Sequence, residues 1–208
     1  MGNAFSGITP RIKRRIIQKG GTELNFHYGL GGFKNPDKLR DEHLVDFLND
    51  DAAVSPDRVT RICLTLCTGI TDKALIAIAD TCHNLTWLSV TGCKNITGPG
   101  IDAIARKCRK LKTLWASDCN ISYLPEDIGM LLPHLTFLHL FDNKIQKIPA
   151  SLGRLADSLT LFYIDSNPLQ QPPLEIVNQG LHAIQLYYDE LDKGYKVSNI
   201  IQEVVLLG

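Results

Sequence analysis

Between residues 59 and 169 the apolar side chains fall into one frame that returns five times. It reads Val59-x-x-Ile62-x-Leu64-x-x-Cys67-x-x-Ile70-Thr71, then Leu85-x-x-Leu88-x-Val90-x-x-Cys93-x-x-Ile96-Thr97, then Leu111-x-x-Leu114-x-Ala116-x-x-Cys119-x-Ile121. Two more copies carry Asn in place of Cys: Leu135-x-x-Leu138-x-Leu140-x-x-Asn143-x-Ile145 and Leu159-x-x-Phe162-x-Ile164-x-x-Asn167-x-Leu169. Their starts step by 26, 26, 24 and 24 residues. Apolar residues at every second position in the middle of the frame predict a short strand with one buried side, and the rest of each unit must carry the chain back across the other side. The returns at 73–79 and 101–105 are rich in helix formers and predict helices. Leu124-Pro125 and Ile148-Pro149 open tighter, irregular returns, because proline cannot donate to a helix or sheet ladder.

The flanks read as caps. Leu24 and Phe26 predict a strand, and Leu44, Val45 and Leu48 a helix, with a Gly31-Gly32 loop between them. At the other end Val177, Leu181, Ile184, Tyr188 and Leu191 recur at helical spacing, a stripe able to cover the open end of a repeat array. The organisation expected is a basic N-terminal arm at 1–22, repeats at 23–180, a capping helix and linker at 181–197, and an apolar tail strand at 198–208 that could be removed with little loss of stability.

Charge and composition narrow the function. The 208 residues hold 22 Lys+Arg and 22 Asp+Glu, so no global basic field exists to hold nucleic acid. With 44% hydrophobic and 21% charged residues the chain is globular, and no apolar run is long enough to span a bilayer or to serve as a secretory leader. These features point to a cytoplasmic protein. The six cysteines form no C-x-x-C pair and no finger spacing with histidine; Cys67, Cys93 and Cys119 belong instead to the repeat frame, which predicts buried free thiols rather than metal ligands or disulfides. Cys63 falls on the outward side of its strand. Neither a nucleophile elbow, a metalloprotease helix nor a phosphate loop is present, so the chain reads as a non-enzyme without cofactor, metal or small-molecule substrate.

The frame resembles that of the leucine-rich repeat family, as a hybrid of its cysteine-containing and typical subclasses. The resemblance implies an α/β solenoid: a short curved horseshoe with parallel strands on the concave face and helices or irregular returns on the convex face. It also implies that the Cys or Asn after each strand points inward and bonds the backbone of neighbouring turns. Asn167-Pro168-Leu169, Pro172-Pro173-Leu174 and the helix to Leu191 resemble the junction between repeats and the Roc GTPase domain in ROCO-family proteins, with residues 200–208 as the first GTPase strand and Gly208 as the first glycine of its phosphate loop. The cysteine-containing repeats are similar to those of substrate receptors of SCF-type ubiquitin ligases, although Leu39–Leu48 is too short for a convincing F-box.

Solenoids bind through the strand-lined surface, so the variable positions beside the strand leucines are the candidate contacts. In successive columns they include Arg61, Trp87 and Phe137, then Trp115, His139 and Tyr163, then Phe141 and Asp165. Both tryptophans are expected to face water, and such an aromatic cluster marks a protein-binding face. His139 lies near Asp142 and Asp165 in this frame, an arrangement that suits a contact residue better than an acid/base catalyst. At the N-terminus, Met1-Gly2-Asn3-Ala4-Phe5-Ser6 fits the N-myristoylation pattern at Gly2, and Arg11, Lys13, Arg14, Arg15 and Lys19 would add attraction to an anionic membrane.

Overall fold

A computed structural model describes residues 16–27, 36–50 and 54–207. Seven short strands form one open sheet in chain order: β1 (Ile17–Gln18), β2 (Glu23–Asn25), β3 (Arg61–Cys63), β4 (Trp87–Ser89), β5 (Thr113–Trp115), β6 (Phe137–His139) and β7 (Leu161–Tyr163). β1 pairs antiparallel with β2, and every later pair is parallel. The middle residue of β2 to β6 is buried: Leu24, Ile62, Leu88, Leu114 and Leu138 are each at most 1% exposed. The returns change character along the chain. α1 (Asp41–Leu48), α2 (Asp72–Thr81) and α3 (Gly98–Lys107) are helices of two turns or more, whereas α4 (Ile128–Leu131) is one turn and Ala150–Leu155 a 310 segment. This is the α/β solenoid the pattern predicts.

The residue after each strand sets the spacing. Cys93 Sγ donates to Leu64 O at 3.1 Å and Cys119 Sγ to Val90 O at 3.3 Å, each reaching back one repeat. Asn143 does more. Its amide donates to Ala116 O at 2.8 Å and Leu140 O at 3.0 Å, and its oxygen accepts from Ile121 N–H at 3.1 Å; Asn167 repeats this one turn later. The two unit lengths follow from this chemistry. In Cys-x-x-Ile units the isoleucine N–H bonds the cysteine carbonyl, as Ile70 with Cys67 and Ile96 with Cys93, and the chain then enters a helix. In the shorter x-Ile units that N–H is free to meet the next asparagine, which a thiol, lacking a strong acceptor, could not satisfy.

Further ladders appear that the apolar frame did not reveal. Asp41 and Asp72, the first residues of α1 and α2, accept from the backbone N–H of Thr71 and Thr97 in the next repeat, at 2.8 Å each, and bond their hydroxyls too. A carboxylate at these positions also meets the positive end of its own helix. Before the strands, Thr60, Thr86, Thr136 and Thr160 each donate a hydroxyl to the preceding repeat's carbonyl. The sharp bend after each strand places Leu66, Gly92, Asp118, Asp142 and Ser166 at positive φ, one per repeat. On the convex side, a Cβ at Gly129 would lie 1.8 Å from Ser151 O, so only glycine allows the one-turn α4 to approach the 310 return.

At the caps the structure corrects three expectations. Ile16 is fully buried and β1 pairs with β2, so the folded cap begins inside the segment assigned to a free arm at 1–22; apolar residues there find cover against the first repeat. The helix expected from Leu44, Val45 and Leu48 is α1; its buried side is Leu44, Phe47 and Leu48, with Phe47 packed edge-on against Phe26 at 5.6 Å, and Val45 is half-buried. The C-terminal stripe is broken into α5 (Leu174–Val177) and α6 (Leu181–Asp192) by Gly180 at φ 90°. The tail is not a strand. Residues Val197–Leu207 form helix α7, which packs on α5 and α6 with Ile200 and Val204 at 1% and 5% exposure. An isolated apolar strand would leave its backbone unpaired, whereas a helix satisfies its own and still buries one side. The tail is therefore part of the cap. Ile200→Ala should lower stability by about 2 kcal/mol, and deletion of residues 198–208 should lower the melting temperature, both measurable by circular dichroism; unchanged melting of the deletion would show that α7 adds nothing.

Candidate partner-binding face

The parallel register aligns the variable positions into two columns. Glu23, Arg61, Trp87, Thr113, Phe137 and Leu161 stand side by side in one; Asn25, Cys63, Ser89, Trp115, His139 and Tyr163 form the other. Aromatic rings pack both across the two columns and along the second. Trp87 and Trp115 meet edge to face with centroids 5.6 Å apart, and His139 and Tyr163 lie 4.9 Å apart and tilted. Arg61 closes the N-terminal end of the row: its guanidinium sits 4.3 Å from the Trp87 ring centre, and its Nε is 3.1 Å from Glu23. Glu23 also takes the Lys19 ammonium at 2.8 Å, so Lys19 belongs to the folded cap rather than to a free basic cluster.

From Cys63 and Trp87 to Leu161 and Tyr163, residues of the two columns line an open concavity of about 770 Å³. That volume lies within the range that holds drug-sized ligands or a bulky part of a partner. Its walls are Trp87, Trp115, Phe137, Leu161 and Tyr163, and its floor is polar and small. On that floor Thr65 Oγ1 and Ser89 Oγ are 2.8 Å apart, Cys63 Sγ is 3.5 Å from Thr65 Oγ1, and His27 Nδ1 lies 3.2 Å from Thr65 O. Trp115 is 45% exposed, Phe137 38% and Tyr163 46%, a large apolar surface to leave facing water.

The eight sequence-chosen residues divide. Trp87, Trp115, Phe137, His139 and Tyr163 line the concavity; Arg61, Phe141 and Asp165 do not. Phe141 and Asp165 are exposed beyond the strand ends, where Asp165 lines a second, smaller cavity. Trp87 is half-buried, not open to water as expected, because Arg61 and Trp115 cover it. His27, Thr65 and Thr91 were missed, although Thr65 and Thr91 occupy the column after the second strand leucine. Their only signal was that column's alignment. His139 is in ring contact with Tyr163, and no hydrogen bond joins it to Asp142 or Asp165 among the described residues. No group of three or more His, Cys, Asp or Glu placed to hold a metal occurs among the described residues. Gly2, Arg11, Lys13, Arg14 and Arg15 lie outside the described residues. No described helix is long and apolar enough to cross a membrane.

The thiols follow the same geometry. Burial pushes Cys67, Cys108 and Cys119 up to about 12, Cys93 higher still, and Cys82 up to about 11, where a hydrogen bond from Thr81 partly offsets the desolvation. Cys63 alone is half-exposed.

An open sheet of parallel strands with one inward Cys or Asn per turn defines a leucine-rich repeat solenoid. Two family models, both described as leucine rich repeat, match residues 81–105 and 134–155, and the chain is a leucine-rich repeat protein. Among solved structures it is similar to internalin C2 from Listeria monocytogenes, at 24% identity and TM-score 0.47, over 56% of this chain and 46% of that one. It is also similar to a leucine-rich repeat protein of Leptospira interrogans (21%, TM-score 0.41, covering 53% and 26%). A third is the Arabidopsis receptor kinase HAESA, solved with the peptide hormone IDA and the co-receptor SERK1 (20%, TM-score 0.44, covering 61% and 23%). The chain spans less than half the length of each. No curated protein matches it. On native protein a thiol reagent should label Cys63 ahead of the other five, since it is half-exposed and they are buried, and denatured, unreduced protein should yield all six thiols.

Proposed function

We propose that the protein is a non-catalytic interaction module whose concave face holds a protein partner. The observation that carries this reading is the 770 Å³ concavity walled by aromatic and aliphatic side chains from four successive strands. Aromatic anchors supply much of the binding energy at such faces, and here the rings already pack edge to face or tilted against one another, so little ordering remains to be done on binding. Glu23 pairs with both Arg61 and Lys19 at one end, outside the lining of the concavity, which leaves apolar contact as the main attraction within it. A photo-crosslinking residue in place of Phe137 should capture a partner in cells, while one in place of Met130 on the convex side should not. Trp115→Ala should abolish the capture while the fold is retained, at a stability cost of about 1 kcal/mol for the lost edge-to-face contact with Trp87; capture that survives in Trp115→Ala would remove the concave face as the binding surface.

The N-terminal sequence supports placement of this module at a membrane. An acyl chain on Gly2 binds bilayers weakly alone, and Arg11, Lys13, Arg14 and Arg15 would strengthen it on an anionic surface. Gly2→Ala should move the protein from the membrane fraction to the cytosol on cell fractionation; unchanged partition would exclude lipidation as the anchor. Regulation of a ROCO-type GTPase and substrate capture for an SCF-type ligase would use the same concave face. The helical tail at Val197–Leu207 does not favour the first, since residues 200–208 were expected to supply a GTPase strand.

A further inference from the structure

The sheet ends at β7, and its outer edge is open. On the inner side, Leu161 N–H bonds Thr136 O at 3.2 Å, and Tyr163 O accepts from Leu140 N–H at 2.7 Å. In a parallel ladder alternate residues point their backbone groups the other way. Thr160 O, Phe162 N–H and O, and Ile164 N–H therefore face outward, and none has a partner among the described residues. One repeat earlier, Thr136, Leu138 and Leu140 use these same groups to hold β7.

The side chains tell the same story. The middle residue of each preceding strand is covered by the next repeat, but Phe162 remains half-buried. Beside it lies a cavity of about 350 Å³, lined by Leu159, Phe162, Ile164, Val177, Leu181 and Asp165 among others, where the strand leucines of another repeat would seat. α6 covers the core behind the sheet without pairing with its edge. Thr160-Leu161-Phe162-Tyr163-Ile164 contains no charge, proline or glycine, so the devices that usually blunt an edge are missing. Asp165, immediately after, is exposed and makes no ion pair among the described residues.

We propose that the β7 edge is a strand-acceptor site that takes an extended segment of a partner chain in parallel register, continuing the β6–β7 interface. Main-chain bonds would give the affinity, and alternate side-chain positions the specificity. The repeat's own grammar defines the segment: apolar residues two apart, seated against Phe162 and Ile164, followed directly by Lys or Arg opposite Asp165. This site uses backbone groups at the end of the solenoid and does not depend on the concave face.

The test uses the full chain and a nine-residue peptide that copies Leu135–Asn143 with Phe141→Lys. At saturation this peptide should slow amide hydrogen exchange at Phe162 and Ile164 at least ten-fold while leaving Leu114 unchanged. The same peptide N-methylated at its copies of Phe137 and His139, whose N–H groups would meet Thr160 O and Phe162 O, should give no slowing. A version with Phe141→Glu should bind about five-fold more weakly, the upper range for one exposed ion pair. Trp115→Ala protein should respond to the parent peptide as the unaltered chain does; loss of the response would place the peptide in the concavity and overturn the edge site while sparing the concave-face reading. No slowing by the parent peptide, or equal slowing by the N-methylated one, overturns it as well. Protection that rises with protein concentration alone assigns the edge to a second copy and not to a partner. Equal binding of the Lys and Glu peptides removes the basic residue from the specificity.

Discussion

From Cys93 onward, each turn of this solenoid hangs on a polar side chain that reaches back to the carbonyl of the turn before it. Cys93, Cys119 and Asn143 in the core, and the half-buried Asn167, bridge turns with side-chain bonds of 2.8–3.3 Å, and in the core a lost partner leaves an uncompensated polar group. Because that bond has a fixed reach, the strand before it cannot slide. A slip of one residue would reverse every side chain between core and surface. The change from Cys to Asn also sets the unit length, since the carboxamide accepts an N–H that a thiol leaves to be satisfied by a local turn and helix.

From that fixed register follows the concave face. Residues 24 or 26 positions apart become neighbours, and a row of Arg61, Trp87 and Trp115 packs as though consecutive. The face is half structure and half surface. Trp87 is held by Arg61 and Trp115 and helps to stiffen the sheet, while Trp115, Phe137 and Tyr163 keep two-fifths or so of their surface open to a partner. The single cation in the row is matched by Glu23, so the face gains stiffness from its charges and keeps its walls apolar.

The two ends are closed by different means. At the N-terminal end β1 pairs antiparallel with β2, and Phe26 packs edge-on against Phe47 of α1. At the C-terminal end α5, α6 and α7 bury the core, and the Tyr188 hydroxyl ties α6 to Ile148 O at 2.6 Å, yet the ladder of backbone groups stops at β7 without a successor. Hydrophobic cover and strand pairing are separate requirements, and here helices meet only the first.

Much of this was legible in the chain before folding. Spacing of Leu, Cys and Asn gave the strands, their order and the columns that face outward, because a repeat contacts its neighbours in the same way each time. The helical returns at 73–79 and 101–105 were equally readable. What the pattern could not carry were interactions that depend on distance rather than periodicity. The Asp41–Thr71 and Asp72–Thr97 bonds join residues 30 and 25 positions apart at helix starts, and no apolar spacing marks them. The contribution of His27 and Thr65 to the concavity, and the shielding of Trp87 by Arg61, arise only once strands stand beside one another. The tail shows the limit most clearly: Ile200, Ile201, Val204 and Val205 fit either a strand or a helix as local sequence, and only the apolar flank of α5 and α6 made the helix the conformation that buries Ile200 and Val204 while satisfying its own backbone.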